Sequence, residues 1–145
     1  MDIEMIANRI YILFQEKTKQ RITMSLPEFF LNQQRPEVSQ ALKDLDLFFT
    51  SFAGVEHYFQ CGRTMEEGKT IHYKSQEKSL FAIFIQEKQP YFRAAVKDPK
   101  RILTNDRMMK ENKIHFENTG YRSFEFGTDI QDLAFAKKEI EKIIE

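Results

Sequence analysis

Apolar residues recur at helical spacing near both ends of this chain and at a period of two through its middle. Ile3, Ile6, Ile10, Leu13 and Phe14 fall on one stripe, widened by Met5 and Ile12, which predicts a helix over 2–18. Asp2 and Glu4 stand in its first turn and Lys17 and Lys19 at its end, the placement that a helix dipole favours. Ser25-Leu26-Pro27-Glu28 has the form of a capping box with proline in the first turn, and Phe29, Phe30 and Leu31 follow it. The element it starts is short, because Arg35 precedes Pro36 and a residue before proline disfavours helical backbone. A second long helix is predicted over 36–52, with Val38, Ala41, Leu42, Leu45, Phe48, Phe49 and Phe52 on its apolar face and Gly54 as the stop.

From Val55 the period changes. Val55, His57, Phe59 and Cys61 alternate with Glu56, Tyr58 and Gln60. A polar loop, 62–68, leads to strands predicted at 69–74, 79–86 and 90–97, with connections at 75–78 and 87–89 short enough for hairpins. Asp98-Pro99 breaks the sheet. Residues 99–113 read as a short basic helix or a structured loop, and a last strand is predicted at 121–126, after Gly120. Thr128 or Asp129 caps a terminal helix with Ile130, Leu133, Ala134, Ile140, Ile143 and Ile144 on its apolar face. Helices and strands are segregated along the chain, which argues α+β: an antiparallel sheet of four or five strands, packed on one face by N-terminal helices and a C-terminal helix. With 145 residues, a single domain over 1–145 is expected, divided into a helical extension, 1–35, and a core, 36–145.

Composition sharpens this in three places. Fourteen Phe and no Trp predict a core packed with phenyl rings. Cys61 is the one cysteine, which excludes a disulfide framework within the chain and points to a reducing compartment. The longest apolar run, Leu80 to Ile85, is strand-length, and the N-terminal helix carries charge. Neither a membrane span nor a secretory core is predicted, and a cytoplasmic location is expected. The net charge is zero but uneven. Residues 61–115 hold twelve Lys or Arg against seven Asp or Glu, whereas 1–60 and 116–145 are both net acidic. A basic middle favours an anionic partner; lysines that guard sheet edges against aggregation are the plainer account of the same residues.

Residues 42–145 resemble a small family described as "predicted transport protein", whose members often form C-terminal domains in restriction and defence proteins. The residues that carry the resemblance are LFFTSFAGVEHYF, TIHYKS, KSLFAIFIQEKQPYFRAAVKDPKR and NTGYRSFEFGTDIQDLAFAKKEIEKIIE, in that order: helix end, strand, hairpin with Asp-Pro, strand and terminal helix. The segment QCGRTMEEGK is longer than the family pattern, and residues 1–40 have no counterpart in it. The resemblance implies an α+β domain working beside nucleic-acid-processing proteins. It supplies no catalytic residues.

Catalytic chemistry finds little support. His57, His72 and His115 do not pair at metal-ligand spacing, and no G-x-S-x-G turn or phosphate-binding glycine loop occurs. No catalytic residue, metal or cofactor is therefore assigned, and an enzyme is not the favoured reading. Glu67-Gly68-Lys69 has the acid-x-lysine spacing of a metal-dependent nuclease, with Glu56 as the candidate second acid. Mg²⁺ requires converging carboxylates, so a solvated turn is the better account. The best functional candidate is basic residues interleaved with aromatics. Lys74, Lys78, Lys88, Arg93, Lys100 and Arg101 are positioned to meet phosphates, with Tyr73 or Tyr91 to stack on a base. The expected function is a non-enzymatic binding module that contacts DNA, RNA or a larger nucleic-acid-processing protein. Its rival is a protein-interaction or homodimerisation subunit acting through Leu26, Phe29, Phe30 and Leu31, which give a two-turn element more apolar surface than it can hide.

Overall fold

A computed structural model describes residues 35–58 and 70–145. The expected helix over 2–18, the capping box at Ser25, the apolar cluster Leu26, Phe29, Phe30 and Leu31, Cys61, and the Glu67-x-Lys69 pair lie outside the described residues. Within them the element order is α1 (Pro36–Thr50), β1 (Val55–Tyr58), β2 (Thr70–Ser75), β3 (Lys78–Ile85), β4 (Phe92–Lys97), α2 (Lys113–Thr119), β5 (Tyr121–Phe126) and α3 (Ile130–Ile144). The fold is α+β. Its five strands form one antiparallel meander in the order β1-β2-β3-β4-β5.

Local chemistry sets most boundaries. Pro36 opens α1 with Arg35 in extended backbone, as a residue before proline requires. Gln76 and Glu77 both take positive φ, 50° and 67°, the sense of twist that lets a two-residue turn join β2 to β3. Asp129 caps α3 by accepting from the Asp132 amide at 2.7 Å.

The sheet has one covered face. Ile71 and Tyr73, Phe81 and Ile83, Phe92, Ala94 and Val96, and Phe124 and Phe126 point to it, and all are buried. Alternation along each strand places these residues on one side. Phe49 of α1 stands edge-on to Tyr73 and Phe81, with ring centroids at 5.3 and 4.8 Å, and those two rings stack on each other at 4.6 Å. Phe135 of α3 meets Phe124 edge-on at 5.7 Å. The expected phenyl-packed core is therefore the contact between α1, α3 and the sheet. Each such ring contributes about 1.5–3 kcal/mol by leaving water. The same face holds a buried polar cluster: Asp46 of α1 accepts from the Tyr73 hydroxyl at 2.7 Å and pairs with His57 Nδ1 at 2.9 Å.

Of the two alternatives read from sequence for 99–113, a short basic helix or a structured loop, residues 99–112 take the loop, and Lys113 already opens α2. The loop forms an irregular strap whose start is fixed by the buried Asp98 carboxylate, which accepts from the amides of Ile102 and Leu103 at 2.7 and 2.9 Å. Farther on, Met108 bridges to Phe124 and the Met109 amide donates to the Ser123 carbonyl at 2.8 Å. The strap thus covers the outer edge of β5, one way to protect a sheet edge. The helix comes later, as α2, capped by Asn112 and ended by Gly120 at φ 72°. Its seven residues bury none of their side chains, so no apolar period betrays it. On α3 the expected apolar face needs correction: Ile130 (86% exposed) and Ala134 are outside the core, whereas Ala136 and Glu139 are inside. The strap claims Glu139: Asn105 donates to its carboxylate at 2.7 Å, and Lys142 does so as well. Burial pushes the Glu139 carboxyl up, but these hydrogen bonds outweigh it and leave the group below its ordinary range.

Candidate anion-binding trough on the open sheet face

The strand positions that alternate with the core residues face away from α1 and α3. Register arranges them in transverse rows. The middle row runs Tyr58, His72, Ala82, Ala95, Ser123 across all five strands. The next row runs Thr70, Phe84, Arg93, Glu125. Two alanines in the centre of the middle row leave a depression between large neighbours. The strap and α2 raise one wall beside it, contributing Met109, Lys110, Asn112, His115 and Thr119. The result is a trough of about 630 Å³, within the range of small-molecule sites.

The ends and sides of the trough are aromatic and polar. Tyr121 of β5 lines the trough, Tyr58 of β1 stands behind His72, and both hydroxyls reach Ser79, at 3.4 Å for Tyr58. Burial, only partly offset by the Ser79 hydrogen bond, pushes the Tyr121 phenol up. The Tyr58 and His72 rings stack, centroids 5.1 Å apart and planes at 28°. Burial pulls the His72 imidazole down from its ordinary value, so the ring is neutral at pH 7.

The cations differ sharply in what they already hold. Arg122 donates to Asp98 at 2.8 Å, to Glu111 at 2.6 Å and to the Leu103 carbonyl at 2.8 Å; it ties the strap to β5. Glu111 is held below the usual carboxylate range, first by the Arg101 hydrogen bond and then, against a counteracting burial effect, by Arg122. Arg93 is different. Its guanidinium lies over the Phe84 ring, 4.5 Å from the centroid, and among the described residues it has no hydrogen-bond or ion-pair partner. Its cross-strand neighbour Glu125 accepts instead from Gln86 at 2.9 Å. A stacked, half-buried guanidinium with all its donors unused is preorganised for an anion. Lys110 on the strap is the second cation of the lining that has no acidic partner among the described residues.

No family model, curated protein or solved structure matches the chain.

Of the residues put forward from sequence to meet phosphates or bases, Arg93 alone lines the trough. Lys74 and Lys78 lie at the β2–β3 hairpin, with Lys100 and Arg101 just beyond the end of β4 at the same end of the sheet. Lys88 is in the β3–β4 connection, at the opposite end, about 25 Å away along an eight-residue strand. Lys74 sits over the Tyr58 ring at 4.4 Å, and Arg101 is engaged by Glu111 at 2.7 Å and by the Phe116 ring. Tyr73 points into the core at 1% exposure, and Tyr91 is 9% exposed, so neither ring is a platform for a base. Register explains Tyr73: it pairs with Phe81, on the covered face. His72 and His115 were weighed only as metal ligands, and Ala82, Ala95, Lys110 and Tyr121 were not singled out. Ala82 and the second alanine of Ala94-Ala95 were the available signal, since a small residue on the outward parity of two adjacent strands marks a depression.

Among the described residues, no group of three His, Cys, Asp or Glu is placed to hold a metal ion, and no helix is long and apolar enough to cross a membrane.

Proposed function

We propose that this protein is a binding module that takes an anionic ligand on its open sheet face, and that nucleic acid, alone or within a nucleic-acid-processing complex, is the partner class. The observation that carries the reading is Arg93: a guanidinium stacked on Phe84 beside a trough, without an acceptor among the described residues. Such a group has paid its ordering cost in advance and gains most from a phosphate or carboxylate. The basic middle of the chain and the resemblance over 42–145 to domains of restriction and defence proteins point the same way.

A labelled single-stranded decanucleotide, followed by fluorescence anisotropy in low salt, tests the proposal. Arg93→Glu should weaken binding at least tenfold, and Arg93→Gln by a smaller factor, with both variants folded by circular dichroism. Equal affinity in wild type and both variants would reject the open face as the site.

The second reading, a protein-interaction or dimerisation subunit, has its own observation. Leu47 and Ile130 are 74% and 86% exposed and flank a groove between α1 and the start of α3, lined also by Ala41 and Leu133. Large exposed apolar residues side by side favour a protein contact. Light scattering over a hundredfold concentration range should show a dimer that Leu47→Asp with Ile130→Asp abolishes; a monomer throughout would dismiss this surface as a self-association site.

A further inference from the structure

We propose that the trough accepts one flat heteroaromatic ring as the third member of the Tyr58–His72 stack, so that the unit recognised is a single nucleotide with its phosphate on Arg93. This rests on the anion-binding reading above and adds the part of the ligand that is not charged.

The geometry is a stack that stops short. Tyr58 and His72 are neighbours in one transverse row, and their rings are nearly parallel. The stacking direction is therefore along the row. One face of the imidazole is taken by Tyr58, and the other looks toward Ala82 and then Ala95, the next two residues of the row. Among the described residues, methyl groups leave that space unfilled across two inter-strand spacings, about 9–10 Å. Among the described residues, the other large rings of these rows are already in contact: Phe84 lies under Arg93, and Tyr121 reaches Ser79. A planar ring set down on the alanine methyls would cover the open imidazole face and bury apolar floor at once. Burial keeps His72 uncharged, so it offers a flat neutral surface rather than a further cation. Arg93 lies one row away, on the same strand as Ala95, which is the reach from a base to its own phosphate. With the strap and α2 as one wall, the trough of about 630 Å³ has room for a nucleotide unit.

Calorimetry with AMP, ribose 5-phosphate and inorganic phosphate tests this, with the labelled decanucleotide as competitor. AMP should displace the decanucleotide and bind at least tenfold tighter than ribose 5-phosphate or phosphate. His72→Ala should weaken AMP at least fivefold, as loss of one stacking partner does, and leave ribose 5-phosphate unchanged. Ala95→Leu fills the gap without touching Arg93; it should remove the preference for AMP over ribose 5-phosphate, and it decides the matter if His72→Ala fails to fold. AMP binding no tighter than ribose 5-phosphate, or an AMP preference that survives Ala95→Leu, overturns the ring site while the anion reading stands. A decanucleotide that binds in an Arg93-dependent way but is not displaced by AMP does the same. Failure of every anion to bind removes both.

Discussion

Asp46 is a carboxylate in the core, and two side chains from two strands meet on it. The Tyr73 hydroxyl and His57 Nδ1 both reach it within 3.1 Å. Asp46→Ala removes the acceptor that both share and should cost about 3–5 kcal/mol in urea unfolding, the scale for breaking a buried charged cluster. Tyr73→Phe deletes one bond and leaves Asp46 with His57, so its cost should be about 1 kcal/mol. Burial first, then the charge and hydrogen bond of Asp46, push the Tyr73 phenol well above its ordinary value. The native state thus holds this proton more tightly than the unfolded chain does. Its contribution is complete below about pH 10, where an unfolded tyrosine begins to ionise, and is lost as pH rises through the native value. The margin of wild type over Tyr73→Phe should shrink above pH 10. A margin that stays constant to pH 11 would contradict this placement of the phenol. None of this was visible in the sequence, where Asp46 occupies the turn after Leu45 like any solvated acid on a helix. The only hint was its position, four residues after Leu42 and three before Phe49, inside the apolar stripe.

At the scale of elements, α1 and the strap play different parts. α1 is a packing element: its stripe was legible from helical period alone, and Phe49 is its key, edge-on against the stacked Tyr73–Phe81 pair. Phe49→Ala should cost about 3–5 kcal/mol by equilibrium denaturation, because the Tyr73–Phe81 pair, held to each other by stacking, cannot collapse into the space the ring leaves. The strap is a polar element, held by carboxylates and a guanidinium instead of apolar periodicity. Arg122 joins three of its points, Asp98, Leu103 and Glu111. Arg122→Leu should raise hydrogen exchange at the Met109 amide, which bonds to Ser123, at least tenfold while leaving the β2–β3 ladder protected; uniform exchange across the domain would mean that the strap does not open as a separate unit. Gly120 closes this region: a Cβ there would lie 3.2 Å from Pro99 Cβ, at φ 72°. Such interactions leave no period in a sequence, which is why 99–113 could be read either as helix or as loop, and why α2 went unmarked.

Across the whole molecule, charge is distributed rather than concentrated. The six cations selected from sequence occupy two ends of the sheet and one place in the trough, and two of them are already engaged by acidic partners. Binding through Arg93 and Lys110 should therefore depend weakly on salt, with log K against log salt falling by about 1–2; engagement of all six would give about 4 for a single strand. A slope near 4 would show that the ligand spans both ends. Hydrophobic period alone determined the fold class, the meander of strands, the two long described helices and the phenyl core, because apolar burial acts residue by residue and writes its spacing into the chain. Tertiary structure alone decided which tyrosines turn inward, which cations remain without a partner, and where two alanines from different strands meet to open a trough. Those depend on register and on side chains distant in sequence, and neither is encoded in any local window.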